Sequence, residues 1–392
     1  MSHLMNTYGR QPITFTHGEG VWLWDESGNK YLDALAGVAV NGLGHAHPKL
    51  TKAISEQAAK LIHVSNIYHI AEQEQLADKL AELSGMDKVF FCNSGCEANE
   101  AAIKLARLYG HNKGIHNPEI IVMERAFHGR TMATLSATGN RKTQAGFEPL
   151  VSGFIRVPYD DLEAVKQIAT RKNNVVAILV EPVQGEGGVY IPADMRAYLE
   201  GLRKVCDDNG WLLMLDEVQS GIGRTGTWFA FQHTDMMPDV MTLAKGLGSG
   251  VPIGACVAKG AAAEVFTPGK HGSTFGGNPL ATMAGLTTLN AIQVEKLREN
   301  AQQMGDLIVS QLKTALNGVA GVVVIRNAGL MIGIELDRPC SELVKMALED
   351  KLLINVTAEK VVRLLPPLVI SEAEANELAT RLSALIKQFL SQ

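Results

Sequence analysis

Two residues of this chain stand where reactive side chains are commonly delivered. Asp216 ends the apolar run Trp211-Leu-Leu-Met-Leu, and Lys245 follows the run Val240-Met-Thr-Leu-Ala. Each run has the length of a strand and no polar alternation, the pattern of a strand buried on both faces that presents a functional group at its carboxyl end. A lysine placed there is partly desolvated, which disfavours the ammonium and favours the free amine that attacks a carbonyl. An aspartate on the neighbouring strand stays ionised only against a cation.

If that cation is a pyridinium ring nitrogen, the pair makes a pyridoxal phosphate site. Lys245 then forms the Schiff base with the aldehyde, and Asp216 keeps the ring nitrogen protonated so that the ring withdraws electrons. The plainer reading is two ordinary polar residues at strand ends, since a strand-end aspartate is common in any open parallel sheet. A third feature bears on the choice. Lys88-Val-Phe-Phe-Cys92 reads as a buried strand, Asn93-Ser94-Gly95 as a turn, and the stretch from Cys96 onward as a helix. Strand, small-residue turn and helix together aim free backbone N–H groups and the positive helix end at an anion, so this turn is a candidate for the cofactor phosphate.

Between the two reactive residues lies Gly221-Ile-Gly223-Arg-Thr-Gly226, a literal G-x-G-x-x-G. That motif holds a dinucleotide only where its first glycine ends a strand and its last opens a helix. Here the strand has already ended at Asp216, and Thr227-Trp-Phe-Ala-Phe has no helical period. A nicotinamide oxidoreductase rests on this loop alone, and the context does not support it.

Composition narrows the classes further. At 392 residues the chain is long enough for a large core and two structural units. Its net charge is -5, with both signs interspersed and no long basic run, so nucleic acid is not an expected partner. Apolar runs are strand-sized, and the opening Met1-Ser-His-Leu-Met-Asn lacks the basic-then-apolar layout of a signal segment. A soluble, cytoplasmic protein without membrane contact is expected. Five scattered cysteines without C-x-x-C, and histidines without H-E-x-x-H, give no disulfide framework and no metal site.

The elements that must position these residues follow from periodicity. Strand and turn units recur at Ile120–Met123, Val175–Val180, the Asp216 and Lys245 strands, and Ile253–Ala258, with helical segments between several of them. The fold class is therefore α/β: a mostly parallel open sheet in a large domain, with functional groups gathered at strand carboxyl ends. Residues 1–60, with a hairpin turn at Ser27-Gly28-Asn29, are expected to pack beside a smaller α+β domain formed by residues 281–392; residues 61–280 form the large domain. Ser371-Glu-Ala-Glu374 reads as a capping box opening the last helix.

In chain order, Asn93-Ser-Gly-Cys-Glu-Ala-Asn-Glu, Phe127-His-Gly-Arg-Thr, Glu181-Pro-Val-Gln-Gly-Glu-Gly-Gly, Leu215-Asp-Glu-Val-Gln, Leu243-Ala-Lys-Gly and Ser273-Thr-Phe-Gly-Gly-Asn-Pro give a chain that resembles the class III pyridoxal phosphate aminotransferases over nearly its whole length. The resemblance implies the fold type I architecture and a homodimer with active sites at the subunit interface. It makes Lys245 the Schiff-base lysine and Asp216 the pyridinium partner. Gln219 meets the ring hydroxyl, with Glu217 and Val218 in the same cofactor-binding segment. Phe127 stacks on the ring, and the Gly95 and Cys96 amides hold the phosphate. Thr274 and Ser273 reach in from the other subunit, to phosphate and substrate.

Two arginines are weighed separately. Arg130 lies just beyond Phe127, and Arg363 sits in the apolar Val361-Val-Arg-Leu-Leu, costly for an unpaired guanidinium. Both suit carboxylate forks. The resemblance gives Arg130 a substrate carboxylate and Arg363 the α-carboxylate of glutamate, with Glu186 pairing Arg363 while a terminal-amine substrate is bound. Val38 stands where ornithine-specific relatives carry a tyrosine that engages the free α-amine, and an apolar residue there suits an acylated amine. The expected reaction moves the terminal amine of N2-acetyl-ornithine to 2-oxoglutarate, a step of arginine synthesis; succinyl-diaminopimelate, ornithine and 4-aminobutyrate are the alternative donors.

Overall fold

The computed structural model describes residues 3–392; the first two residues of the opening segment lie outside it. The strands Val175–Val180, Leu212–Asp216 and Val240–Leu243 are buried at every position. They occupy the middle of a seven-stranded sheet, running from Lys88–Cys92 through Gly254–Ala258, Val240–Leu243, Leu212–Asp216, Val175–Val180 and Glu119–Met123 to Phe154–Val157. Helices lie against this sheet, among them Gly95–Asn112 and Met195–Asn209, which is why its central strands show no polar alternation. Gly254–Ala258 is antiparallel to both of its neighbours, while the other pairs are parallel. The sheet is thus mostly parallel, and its parallel strands end on one edge.

The chain ends build two smaller sheets. Phe15–Glu19, Trp22–Asp25 and Lys30–Asp33 form an antiparallel meander, and Leu352–Leu353 from the far end of the chain adds to it in parallel. Val322–Ala328, Met331–Leu336, Val361–Leu364 and Asn355–Thr357 form the other sheet. Before them, Pro279–Val294 and Leu297–Ala315 are separate helices, broken where Lys296 takes a left-handed φ of 54°. The closing helix, Glu372–Leu390, opens on the reciprocal cap of Ser371 and Glu374. No helix among the described residues is long and apolar enough to cross a membrane.

Candidate active site

Asp216 is the last residue of its strand, and Lys245 lies just past the end of the parallel neighbour, Val240–Leu243. Lys245 leaves that strand with a left-handed φ of 43° and opens a short 3-10 turn, Lys245–Leu247. For a residue with a Cβ this conformation costs about 1 kcal/mol, and it occurs where surrounding structure dictates it. Both side chains face a cavity of about 910 Å³. Burial and the positive charge of Arg363 push the Lys245 ammonium down to about 8, against the opposing pull of Asp216, Glu181 and Glu186. The free amine is therefore far more available near neutral pH than that of an ordinary lysine, although the ammonium still predominates below about 8.

Asp216 is held by residues far away in the chain. Its Oδ2 lies 2.8 Å from Asn99 Nδ2, which donates to it, and 2.7 Å from His128 Nδ1. Its Oδ1 accepts the Val218 N–H at 3.0 Å. Asn99 is fixed in turn: it donates to the His128 carbonyl and accepts from the Thr242 hydroxyl at 2.7 Å. Asn99 and His128 are both buried. A further buried carboxylate, Glu181, accepts the N–H groups of Phe127 at 2.9 Å and Gly185 at 3.2 Å. Burial raises Glu181 to about 7; His128 pulls it down and Asp216 pushes it up. Asn99, His128 and Glu181 are absent from the expected site. Their signal in the sequence is faint: each is a polar residue within one of the six motifs, and Asn99 falls on the buried side of an otherwise alanine-rich helix.

The turn before helix Gly95–Asn112 is closed by Ser94, whose hydroxyl accepts the Glu97 N–H, while Glu97 reaches back to the Asn93 N–H at 2.7 Å. Gly95 must lack a side chain, because a Cβ there would stand 2.7 Å from Val218 Cγ1. Cys96 turns its thiol into the following loop, where it accepts the Arg130 N–H at 3.1 Å and meets the Thr134 hydroxyl at 3.3 Å. Gln219 also lines the cavity, and a Cβ at Gly185 would be 2.3 Å from its Oε1. That oxygen and His128 Nε2 are buried without a hydrogen-bond partner.

Glu217 departs from the expected arrangement. Its carboxylate is fully buried and turned from the cavity, accepting the Ala230 and Phe231 N–H groups, each at 2.9 Å, and the Ser220 hydroxyl at 2.7 Å. It holds the start of the 3-10 turn Ala230–His233, and burial lifts it to about 7. Three of the roughly four acceptor positions of this carboxylate are filled, and the side chain is not part of the cavity wall.

Glu186 lines the cavity; its partner Arg363, on strand Val361–Leu364, is 1% exposed and is not itself part of the cavity wall. Its Nε donates to Asn355 Oδ1 at 3.0 Å, and its guanidinium forms an ion pair with Glu186 at 3.2 Å. Burial lowers its pKa, and Glu186 opposes that. Arg130 lies 5.7 Å from the Phe127 ring centroid and has no carboxylate partner among the described residues. Val38 lines the same cavity, in a segment with left-handed φ at Gly37, Val38 and Ala39. Ser273 and Thr274 do not line it: the Ser273 hydroxyl accepts the Gly276 N–H at 2.9 Å, and Thr274 is exposed.

The arrangement combines an amine whose proton burial loosens, a carboxylate aimed by two donors, open amides at a helix start and an unsatisfied amide oxygen. These groups fit a flat, phosphorylated pyridine aldehyde. The family model for class III aminotransferases matches residues 5–386. The chain is a class III aminotransferase. It is 66% identical to acetylornithine aminotransferase of Nitrosomonas europaea, across 100% of this chain and 99% of that one. It superposes with a TM-score of 0.95 and 33% identity on an ornithine aminotransferase of Toxoplasma gondii, covering 100% of this chain and 93% of that one. That structure is described as having pyridoxal phosphate in partial occupancy at its active site. Acetylornithine aminotransferase of Elizabethkingia anophelis matches with a TM-score of 0.87 and 36% identity, over 99% and 97% of the two chains. Pyridoxal phosphate is the cofactor of this class III enzyme, and the expected fold type agrees with these neighbours.

Proposed function

We propose that this aminotransferase moves the terminal amine of N2-acetyl-ornithine to 2-oxoglutarate, giving N-acetylglutamate 5-semialdehyde and glutamate, as a step of arginine synthesis. The observation that carries the reading is the closed Arg363–Glu186 pair opposite an Arg130 free of any carboxylate. A donor with a distal amine brings one carboxylate, far from the reacting carbon. Arg130 is placed to fork it, while Glu186 neutralises Arg363 so that no bare cation faces the aliphatic chain. The apolar Val38 suits an acylated α-amine. The name of the Nitrosomonas europaea relative supports the same donor.

When bound, pyridoxal phosphate supplies an aldehyde for the amine and a ring that accepts the electron pair released as a proton leaves the adjacent carbon. Lys245 would bind the aldehyde and would carry the released proton on Nζ, a role open to an amine whose pKa is near 8. Asp216, fixed by Asn99 and His128, stabilises a proton on the ring nitrogen. The Gly95 and Cys96 amides would take the phosphate, Phe127 would cover the ring face, and Gln219 Oε1, which has no other partner, would accept from the ring hydroxyl; Val218 backs this wall against Gly95. In the second half of the cycle 2-oxoglutarate brings two carboxylates, so Arg363 leaves Glu186 for one and Arg130 keeps the other.

The working unit we propose is a homodimer in the cytoplasm. Ile62, Ile67, Tyr68 and Phe275 are exposed large hydrophobics, and Asn66 ties their segment to the Ser273 and Gly276 carbonyls. An apolar surface of this kind next to Ser273 and Thr274 supports a partner subunit, into whose cavity those two hydroxyls reach. We further propose that residues 61–280 act as one unit and that 1–60 act together with 281–392, so that the cavity lies at their junction. The test is turnover with 2-oxoglutarate and four donors: N2-acetyl-ornithine, succinyl-diaminopimelate, ornithine and 4-aminobutyrate. The largest kcat/KM is expected for N2-acetyl-ornithine, and a larger value for ornithine overturns the assignment.

A further inference from the structure

Beyond Phe127, Arg130 and Glu186 the active-site cavity continues into an annex of about 520 Å³, whose wall shares those three residues. Its charge is unlike that of the chain as a whole. In a protein of net charge -5, the annex wall carries Arg125, Arg130, Arg141, Lys142, Arg326 and Lys360 against only Glu186, Glu335 and Glu359. The carboxylates are all taken. Glu335 pairs with Arg326 at 2.9 Å and with Lys360 at 2.7 Å, Glu359 pairs with Lys142, and Glu186 pairs with Arg363. Arg125, Arg130 and Arg141 have no ion-pair partner among the described residues. Arg156, close enough to feel the charge of Arg141, has its pKa lowered first by burial and then by Arg141, with Glu124 opposing; among the annex residues themselves, six cations face three carboxylates, so the wall carries an excess of positive charge.

We propose that Arg125 and Arg141 form a further carboxylate subsite beside Arg130, distinct from the positions served by Arg130 and Arg363. The proposal rests on the reading of Arg130 as the fork for the donor's carboxylate. A donor held there carries its acyl group on the adjacent carbon, and the free volume next to Arg130 is the annex. The occupant is a carboxylate of a small dicarboxylic acid. It arrives either as the far end of a dicarboxylic acyl group on the donor or as the free acid, and the first is favoured by the continuity of the two cavities. Guanidinium groups without a counter-ion pay no cost to release one, so an incoming carboxylate gains a charge-assisted fork.

The experiment uses the holoenzyme and the variants R125Q, R141Q and the double variant, with N2-acetyl-ornithine and N2-succinyl-ornithine as donors and free succinate as a competitor. For the tail-bound source, the ratio of succinyl to acetyl kcat/KM falls about fivefold per arginine, the effect of one exposed ion pair. The acetyl value itself stays within about twofold, well under one such pair. For the free-acid source, that ratio is unchanged and the inhibition constant of succinate rises by a similar factor. An unchanged ratio together with unchanged succinate inhibition overturns the subsite. If wild type does not turn over N2-acetyl-ornithine, the proposed donor is wrong; succinate binding to wild type and double variant, read by calorimetry, then still decides on the subsite.

Discussion

Replacing Glu186 by alanine puts the two half-reactions in opposition, because it removes the group that neutralises Arg363 while only one carboxylate is bound. Arg363 is 1% exposed and retains just one other side-chain contact, the Asn355 Oδ1 acceptor at 3.0 Å. Stripping one partner from a buried pair costs about 2–5 kcal/mol. The Glu186 side chain is 49% exposed, so water recovers part of that loss and the lower end applies. About 2 kcal/mol corresponds to roughly 30-fold. In E186A, reaction with N2-acetyl-ornithine is expected to slow by about that factor, since the donor chain now faces an unpaired guanidinium. Reaction with glutamate is expected to hold or improve, because Arg363 no longer has to be drawn away from Glu186. R363A should do the reverse, losing at least about 30-fold with glutamate and 2-oxoglutarate and much less with the acetylated donor. Rapid mixing, with the visible absorbance of the bound cofactor followed for each substrate alone, separates the halves. Equal losses in both halves for either variant would refute the exchange of partners.

Other outcomes follow from the same geometry. In cofactor-free enzyme, labelling of Lys245 by an amine-directed reagent should rise with pH and level off above about 8, not near the ordinary 10.5. Between those values the unfolded chain binds a proton that the folded one does not, so this group's contribution to stability rises with pH; a labelling midpoint near 10.5 contradicts the site's electrostatics. D216A should lose turnover by orders of magnitude while cofactor affinity, read by equilibrium dialysis, drops less; near-normal turnover would mean that the ring nitrogen has another partner. E217A should act on stability rather than on cofactor binding, lowering the unfolding free energy by about 2–4 kcal/mol through three orphaned donors, and cofactor affinity that falls without a change in denaturation midpoint argues against the structural role.

Local sequence determined a good deal of this protein. Apolar runs ending in Asp216 and Lys245 are legible because a strand buried on both faces shows no alternation, and its carboxyl end is visible as the first charge. The failure of the Gly221 loop as a nucleotide site is equally local, as are the helix start at Gly95 and the cap at Ser371. The Arg363–Glu186 pair came from family resemblance, since nothing within either segment names the other. Tertiary structure alone decided the rest. Asn99 and His128 reach Asp216 across 117 and 88 residues, a meeting set by strand order and not by spacing. Glu217 could not be oriented from its neighbours, because Asp216 Oδ1 captures the Val218 N–H and turns the chain out of the extended state in which alternate residues share a face. The reversal of Gly254–Ala258 is invisible in its composition, since a fully buried strand is apolar whichever way it runs. Periodicity records how deeply a residue is buried, but the identity of its partner is set only when the sheet closes around it.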